Sequence, residues 1–402
     1  MIRLINRPSY TERIAPSINK NIIKVLTGQR RVGKSCILRQ IQEHIKKTLP
    51  TSNTICINKE LEEFSFIRTH EDLSQYISEH LKEGIANYLF IDEVQDIQGF
   101  ENTLRSLQAQ DACDIFITSS NATMLSSELS TYLSGRYVEF HIYSLTYKEF
   151  LEFHKIDAST KSLRNYLTFG GLPYLSNLPL EQDIAFEYLR NVYSTIMLKD
   201  VVKRKGIRNV DFLETLAIYT ADNVGNLFSA NNISRYLKSQ HVNISALQVI
   251  NYLKALQNAY LIHKVRRINV NGLHTFEIGD KYYFEDLGLR NCHFGFSMQK
   301  DIHKLMENAI FLHLSQQHYE VFTGQQTAGK EIDFVGRKGD EVVYILSSYL
   351  LGDEKAKERE FGNLQSIRNN YPKYVVSLDE WTSGSSVDGI KHIHLGEFLI
   401  DF

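Results

Sequence analysis

Ile22-Ile-Lys-Val-Leu-Thr-Gly-Gln-Arg-Arg-Val-Gly-Lys-Ser35 joins a β-branched run to a glycine loop, and Cys36-Ile-Leu-Arg-Gln-Ile-Gln-Glu-His-Ile45 continues it at helical period. The loop fits G-x-x-x-x-G-K-[ST], and the strand before it and helix after it make the pattern a phosphate-binding loop. Gly28 and Gly33 permit backbone geometries that let successive N–H groups point at phosphate oxygens, and the helix opening near Gly33 adds its positive dipole end. Lys34 is expected to reach the β- and γ-phosphates and the Ser35 hydroxyl to ligate Mg²⁺. The whole stretch of Gly28, Gln29, Arg30, Arg31, Val32, Gly33, Lys34, Ser35 and Cys36 is the expected nucleotide-binding segment. Arg30 and Arg31 lie outside the strict pattern; they either add positive potential or are solvated loop residues.

Outward from this loop, apolar strands alternate with helical stretches. Thr54–Ile57, Tyr88–Asp92, Ile115–Ser119 and Val138–Ile142 read as strands beside Ile22–Leu26, with a helix over Lys34–Lys47. This order predicts an α/β domain, a P-loop parallel sheet with helices on both faces, whose ligands bind beyond the carboxyl ends of the strands. Asp92 and Glu93 end the apolar run Tyr88-Leu-Phe-Ile91, which places Asp92 to hold Mg²⁺ and Glu93 to act as general base toward a water. Thr118-Ser-Ser-Asn121 ends the next strand. Ser119 and Asn121 there either contact the γ-phosphate or water, or cap a helix over Ala122–Leu133. Arg136, in Ser134-Gly-Arg136, either stabilises charge on the transferred phosphoryl group or forms a structural ion pair; if it serves a neighbour's nucleotide, the protein must form a homo-oligomer.

The chain has 402 residues, enough for two or three domains, with 43% hydrophobic content and a net charge of −2. That balance excludes a uniformly basic nucleic-acid coat but not a local basic segment such as Lys199–Arg208, with Lys203, Arg204 and Lys205. Cys36, Cys56, Cys113 and Cys292 are scattered, so neither a disulfide framework nor a zinc site is expected. The amino terminus lacks a secretory apolar core and no run reaches membrane-spanning length, which reads as a cytoplasmic protein with no membrane partner.

The region 151–290 reads as helical. Phe228–Lys238 and Ser245–Ala259 are amphipathic, with Ser245 as N-cap and Leu247, Ile250, Leu253 and Leu256 at helical spacing. Tyr260–Ile268 follows as a strand, a winged-helix layout that reads DNA or serves as a protein lid. The second helix carries only Lys254, which argues against base readout by it. The region 291–402 reads as a small α/β domain, with Met306-Glu307-Asn308 opening a helix and strands at Glu331–Val335, Val342–Leu346 and Tyr374–Leu378.

Taken together, the motifs resemble the prokaryotic AAA+-superfamily ATPases in which an AAA_14-type domain (here 1–150) precedes a DUF4143-type carboxyl-terminal region. The resemblance spans Gly28–Ser35, Ile91-Asp-Glu-Val-Gln95, Thr118–Asn121, Leu133–Arg136 with Ser144–Glu149, Gly170-Gly-Leu-Pro173, Leu198–Asp200, Ala230–Ile233 and Lys281–Gly288. It implies ATP as the nucleotide, which the lack of an N-K-x-D guanine-reading motif also favours. It further implies a winged helix in the middle, a restriction-endonuclease-like domain at the end, and a nucleotide-contacting role for Gly171 and Pro173. A metal-dependent nuclease of that kind needs an acid on one strand and an acid-x-Lys on the next. Glu307 and Asp333 fit the first part, but the following strand offers Ile345-Leu-Ser-Ser348, and Arg359-Glu360 is too far along. The expectation is an ATP-hydrolysing, Mg²⁺-dependent switch with a DNA or protein partner and a degenerate nuclease-like end. The alternatives are a nucleotide-gated scaffold that does not hydrolyse, and an ATP-dependent nuclease.

Overall fold

A computed structural model describes residues 5–122, 133–204, 206–239, 243–270, 272–274, 279–293, 296–326, 330–351, 361–379, 384 and 386–402. They form two compact units, Met1–Tyr143 with Asn258–Tyr260, and Ser144–Gln257 with Leu261–Phe402.

The first unit is built on five strands, β1 (Ile23–Thr27), β2 (Asn53–Asn58), β3 (Asn87–Asp92), β4 (Asp114–Ser119) and β5 (Tyr137–His141), in the order β2-β3-β4-β1-β5. Every pairing is parallel. All five residues of β1 are buried, as in a strand covered on both faces. Period-two alternation puts Ile23, Val25, Ile55, Ile57, Leu89, Ile91, Ile115 and Ile117 into one cluster, with Leu73 and Ile77 of α3 (His70–His80) and Phe100 and Leu104 of α4 (Phe100–Ala109). On the other face Phe90 and Phe116 stack 5.0 Å apart. The helix after the phosphate loop, α2 (Lys34–Thr48), packs on β1, β3 and β4 and buries Ile37, Leu38, Ile41 and Ile45. Neither α3 nor α4 was expected. Thr69 starts α3 with a reciprocal capping box to Asp72, a local signal that stood in the sequence as T-x-x-D.

In the second unit an eight-stranded sheet runs in the order β12-β13-β11-β10-β9-β8-β6-β7. Its strands are β6 (Ile262–Asn269), β7 (Lys281–Phe284), β8 (Glu320–Gln325), β9 (Glu331–Lys338), β10 (Glu341–Ser348), β11 (Lys373–Ser377), β12 (Ser386–Val387) and β13 (Ile390–His394). The boundary expected at residues 290–291 therefore does not divide the chain. The first half of β6 pairs with β7, but its second half, Arg266–Asn269, pairs in parallel with Phe322–Gln325 of β8. The strand that would form a wing is part of the later sheet, and apolar Ile268 joins that sheet's core.

The two amphipathic helices form as expected, Ala230–Ser239 and Ala246–Asn258, and the Ser245 hydroxyl accepts from Gln248 N at 3.2 Å. On the second, Leu253 and Leu256 are buried, whereas Leu247 and Ile250 are 66% and 50% exposed and lie off the core face. Met306-Glu307-Asn308 does not open a helix; it lies midway along Met298–Gln316, whose start at Ser297 is marked by Asp301 Oδ2 accepting from the Ser297 N–H. No described helix is long and apolar enough to cross a membrane.

Candidate functional site

Three neighbouring strands of the parallel sheet end at one place: β1 in the phosphate loop, β4 in Thr118–Ser119, and β3 in Asp92. Gly28 has φ +140° and Gly33 φ +99°. A Cβ on Gly28 would lie 2.2 Å from the Ile142 carbonyl oxygen, so only glycine fits where the loop crosses β5's end. Gly33 precedes α2 with no side-chain cap, and no acid occupies the first turn. The opening N–H groups are therefore left for an anionic ligand. Arg31 also holds a left-handed conformation, φ +74°, on the exposed side of the loop.

Lys34 is 4% exposed, and its Nζ lies across the loop mouth, donating to Gly28 O at 3.0 Å and Gln29 O at 2.9 Å. Val32 is wholly buried and its carbonyl accepts from Arg7 Nη1 at 3.1 Å. The same nitrogen reaches Tyr143 O at 3.0 Å, and Arg7 N donates to Gln40 Oε1 of α2 at 3.3 Å. Arg7, 3% exposed, thus straps the loop to two other segments. No local signal marks this role, because the two carbonyls that Arg7 joins lie 25 and 136 residues away. Gln29 directs its amide to Tyr260 O at 3.0 Å, and Arg30 lies 3.6 Å from Glu60. Ser35 and Cys36 stand exposed in the first turn of α2.

Asp92 and Glu93 are 4% and 6% exposed. Glu93 takes the left-handed conformation, φ +56°, uncommon for a side-chain-bearing residue, and this turns the chain sharply at the end of β3. The turn is held by Thr118, which accepts from Glu93 N at 2.9 Å and donates to Asp92 Oδ1 at 2.5 Å. Glu93 Oε1 lies 3.9 Å from Lys34 Nζ, while Ser120 Oγ and Gln95 Nε2 donate to Oε2, the former at 2.9 Å. Burial pushes the Glu93 carboxyl up, but Lys34, Gln95, Arg30 and Ser120 together hold it below its ordinary range. It is a buried carboxylate facing the phosphate loop. Asp92 and the Ser35 hydroxyl are hard oxygen donors of the kind a magnesium ion takes, and the Thr118 bond leaves the second Asp92 oxygen available.

Ser119 and Asn121 contact each other. Asn121 N donates to Ser119 Oγ at 3.1 Å, a local turn, and the helix expected over Ala122–Leu133 lies mostly outside the described residues. The residues that hold the acids are their neighbours Thr118 and Ser120. Arg136 sits elsewhere. Its carbonyl accepts from Ile23 N at 2.9 Å, and Tyr137 pairs with Ile23, so Arg136 stands at the opening end of β1. The phosphate loop leaves the other end, about 15 Å away along the strand. That end of β1 is opposite the phosphate loop of the same chain. The exposed Arg136 side chain is left to a neighbour or to solvent.

In the second unit, Gly171 N donates to Asp286 Oδ2 at 2.8 Å and Gly171 O accepts from Leu145 N at 2.7 Å. A Cβ on Gly171 would lie 2.5 Å from Leu145 O. Pro173 opens the short turn Pro173–Asn177. These contacts account for the Gly-Gly-Leu-Pro stretch as a backbone lock on Asp286, whose carboxyl burial pushes up to about 6. Gly171→Ala is expected to destabilise the fold by about 1–3 kcal/mol through this backbone clash. Urea unfolding would read the loss, and ATP affinity should stay within twofold. Weakened ATP binding with unchanged stability would return Gly171 to the nucleotide.

Glu307 and Asp333 do come together in the second unit, and Lys281 of β7 lies between them and Glu331. Lys281 Nζ pairs with Glu331 and lies 3.9 Å from Glu307 Oε2, to which Tyr283 Oη donates at 3.1 Å. Asp333 Oδ2 accepts from Ser347 N at 2.8 Å, on the strand where an acid-x-Lys would be needed. Burial first, then the Asp333 charge, pushes the Glu307 carboxyl up to about 8, against the pull of Lys281. Ser347 and Ser348 stand where the second acid and the lysine of the nuclease pattern would be, and Lys281 reaches the carboxylates from β7 instead. Arg359-Glu360 lies outside the described residues, as does Lys205 of the basic segment. Of that segment, Ile196–Lys203 is a π-helix in which Asp200 is 3.8 Å from Arg204.

Residues 20–151 match an AAA domain family, and residues 160–300 match a domain of unknown function, DUF8612, rather than the DUF4143 type expected. An uncharacterized protein of Haemophilus influenzae is 32% identical over 405 residues, 99% of each chain. One of Methanocaldococcus jannaschii is 29% identical over 400 residues, covering 93% of this chain and 86% of that one. Among solved structures, the Aeropyrum pernix ORC1 protein in complex with DNA is 12% identical, with a TM-score of 0.32, over 77% of this chain and 94% of that one. AMPPCP-bound DnaA from Aquifex aeolicus is 15% identical, with a TM-score of 0.30, over 61% and 85%. Likenesses this slight carry no argument about activity.

Proposed function

We propose, on the premise that this chain belongs to the AAA-domain family of prokaryotic P-loop ATPases, that it hydrolyses ATP with Mg²⁺ and works as a nucleotide-driven switch. The observation that carries the reading is the meeting of Lys34 and Glu93, next to Asp92, where β1 and β3 end on either side of β4, beside an uncapped helix start. The loop N–H groups and Lys34 bind the β- and γ-phosphates. Ser35 and Asp92 would hold Mg²⁺, which when bound draws charge from the phosphate oxygens. Glu93 takes the proton of the attacking water as the bond between the γ-phosphorus and the β-phosphate oxygen breaks. Binding moves Lys34 off the Gly28 and Gln29 carbonyls, which couples nucleotide arrival to loop rearrangement.

Arg136 is assigned to a neighbouring copy's nucleotide, given its place at the far end of β1, so turnover should rise with protein concentration. The far end of the chain is read as a binding or regulatory domain and not a nuclease, given Ser347 and Ser348 where the acid-x-Lys would stand. The test is phosphate release by the purified full chain with MgATP, with and without duplex DNA. Turnover in the usual range of about 0.01–10 s⁻¹ is expected; ATP binding with none in either condition would replace the enzyme by a nucleotide-gated scaffold.

A further inference from the structure

Gln95 stands two residues past the acidic pair, in the short turn Val94–Asp96 that follows β3. Nothing in the reaction above uses it. Its Nε2 nevertheless donates to Glu93 Oε2 and lies 3.5 Å from Ser120 Oγ, which donates to the same carboxylate oxygen. The two oxygens of Glu93 therefore have different surroundings. Oε2 is fixed by donors from two elements, the turn after β3 and the segment after β4. Oε1 faces Lys34 at 3.9 Å, on the side of the phosphate loop.

The Gln95 amide is oriented for this contact at some cost. Its own Oε1 is buried and has no hydrogen-bond partner among the described residues. Reversing the amide would bring that oxygen against the Glu93 carboxylate, so the orientation follows from the charge it faces. A glutamine packed only to fill space would find a donor for its carbonyl or turn it to solvent. The strained backbone of Glu93 points the same way: its φ of +56° turns the side chain back over the turn that carries Gln95.

We propose that Gln95 is a positioning residue for the hydrolytic base, holding Oε2 so that Oε1 is the oxygen that accepts the proton. The inference rests on the hydrolysis reading above. Water oxygen bonds to the γ-phosphorus, the bond to the β-phosphate oxygen breaks with its electron pair, and the water proton passes to Oε1. Without Gln95 only Ser120 still holds Oε2, and the less restrained carboxylate can swing toward the Lys34 ammonium, where its oxygens are not aimed at water. Gln95 touches none of the phosphate-binding groups, so its loss should leave affinity alone.

The experiment is steady-state turnover of the full chain carrying Gln95→Ala or the isosteric Gln95→Glu, beside the affinity for AMPPCP with Mg²⁺. Each variant should lose kcat by about tenfold or more; for Gln95→Ala, which adds no charge, AMPPCP affinity should stay within twofold, a split that a folding defect would not give. In a Glu93→Gln background, adding Gln95→Ala should cost nothing further, since the residue acts only through Glu93. Unchanged kcat in both variants, or an equal fractional loss in the Glu93→Gln background, would overturn the assignment and leave the hydrolysis reading intact. A parent protein that binds AMPPCP but never turns over ATP would instead remove the base, and the positioning residue with it.

Discussion

Lys34→Ala lowers ATP affinity by about 30- to 5,000-fold, among the largest effects expected of any single change in this chain. The lysine is 4% exposed, and its ammonium is held by two loop carbonyls at 2.9 and 3.0 Å. A phosphate that displaces those carbonyls meets a charge already stripped of water, where each contact counts for more than at the surface. Removing a buried, hydrogen-bonded charge partner costs about 2–5 kcal/mol, or about 30- to 5,000-fold in affinity. Calorimetry with MgATP would measure it, with unfolding followed in parallel because Glu93 loses its nearest cation. Affinity within threefold of the parent would mean the loop binds phosphate by backbone alone.

Glu93→Gln acts on a different quantity. Turnover should fall by about 100-fold or more, the usual contribution of a positioned general base, while ATP affinity holds or rises. The introduced amide can keep an oxygen toward Ser120 and Gln95 and present its nitrogen to the loop, so the local fold survives. It also removes a negative charge 3.9 Å from Lys34, close to where the γ-phosphate binds. Rapid-quench measurement of phosphate release separates this loss from slow product dissociation. Parent-like release would assign the base elsewhere.

Much of the nucleotide domain was legible because its signals are local. Five apolar runs read as strands, and all five pair in one parallel sheet within a residue or two of the expected limits. Chain adjacency also placed the loop, Asp92 and Glu93 at one sheet end. What escaped depends on side-chain direction or on distant partners. Thr118 and Ser120 reach the acids while Ser119, between them, turns away, and a run of four polar residues does not say which phase faces the site. Arg7 gave no periodic or motif signal, and Gln95 stood inside Ile91-Asp-Glu-Val-Gln95 without any role assigned to it, since both roles lie in what they touch. The contact of Lys281 with Glu307 and Glu331 joins three elements that no spacing rule connects. The sequence leaves open which nucleotide Arg136 serves, because a motif order carries no direction along the sheet and only the strand pairing puts it opposite the phosphate loop.

One strand sets a practical limit on dividing this protein. β6 takes β7 as neighbour along Ile262–Val265 and β8 along Arg266–Asn269. A chain cut at the expected domain limit near residue 290 keeps the first partner and loses the second. The stump then carries a row of unsatisfied N–H and C=O groups, flanked by Ile268, which is wholly buried in the intact sheet. Such an open edge is a template for another chain. The amino-terminal fragment would self-associate through it, and that association would be an artefact of the cut, not a property of the protein.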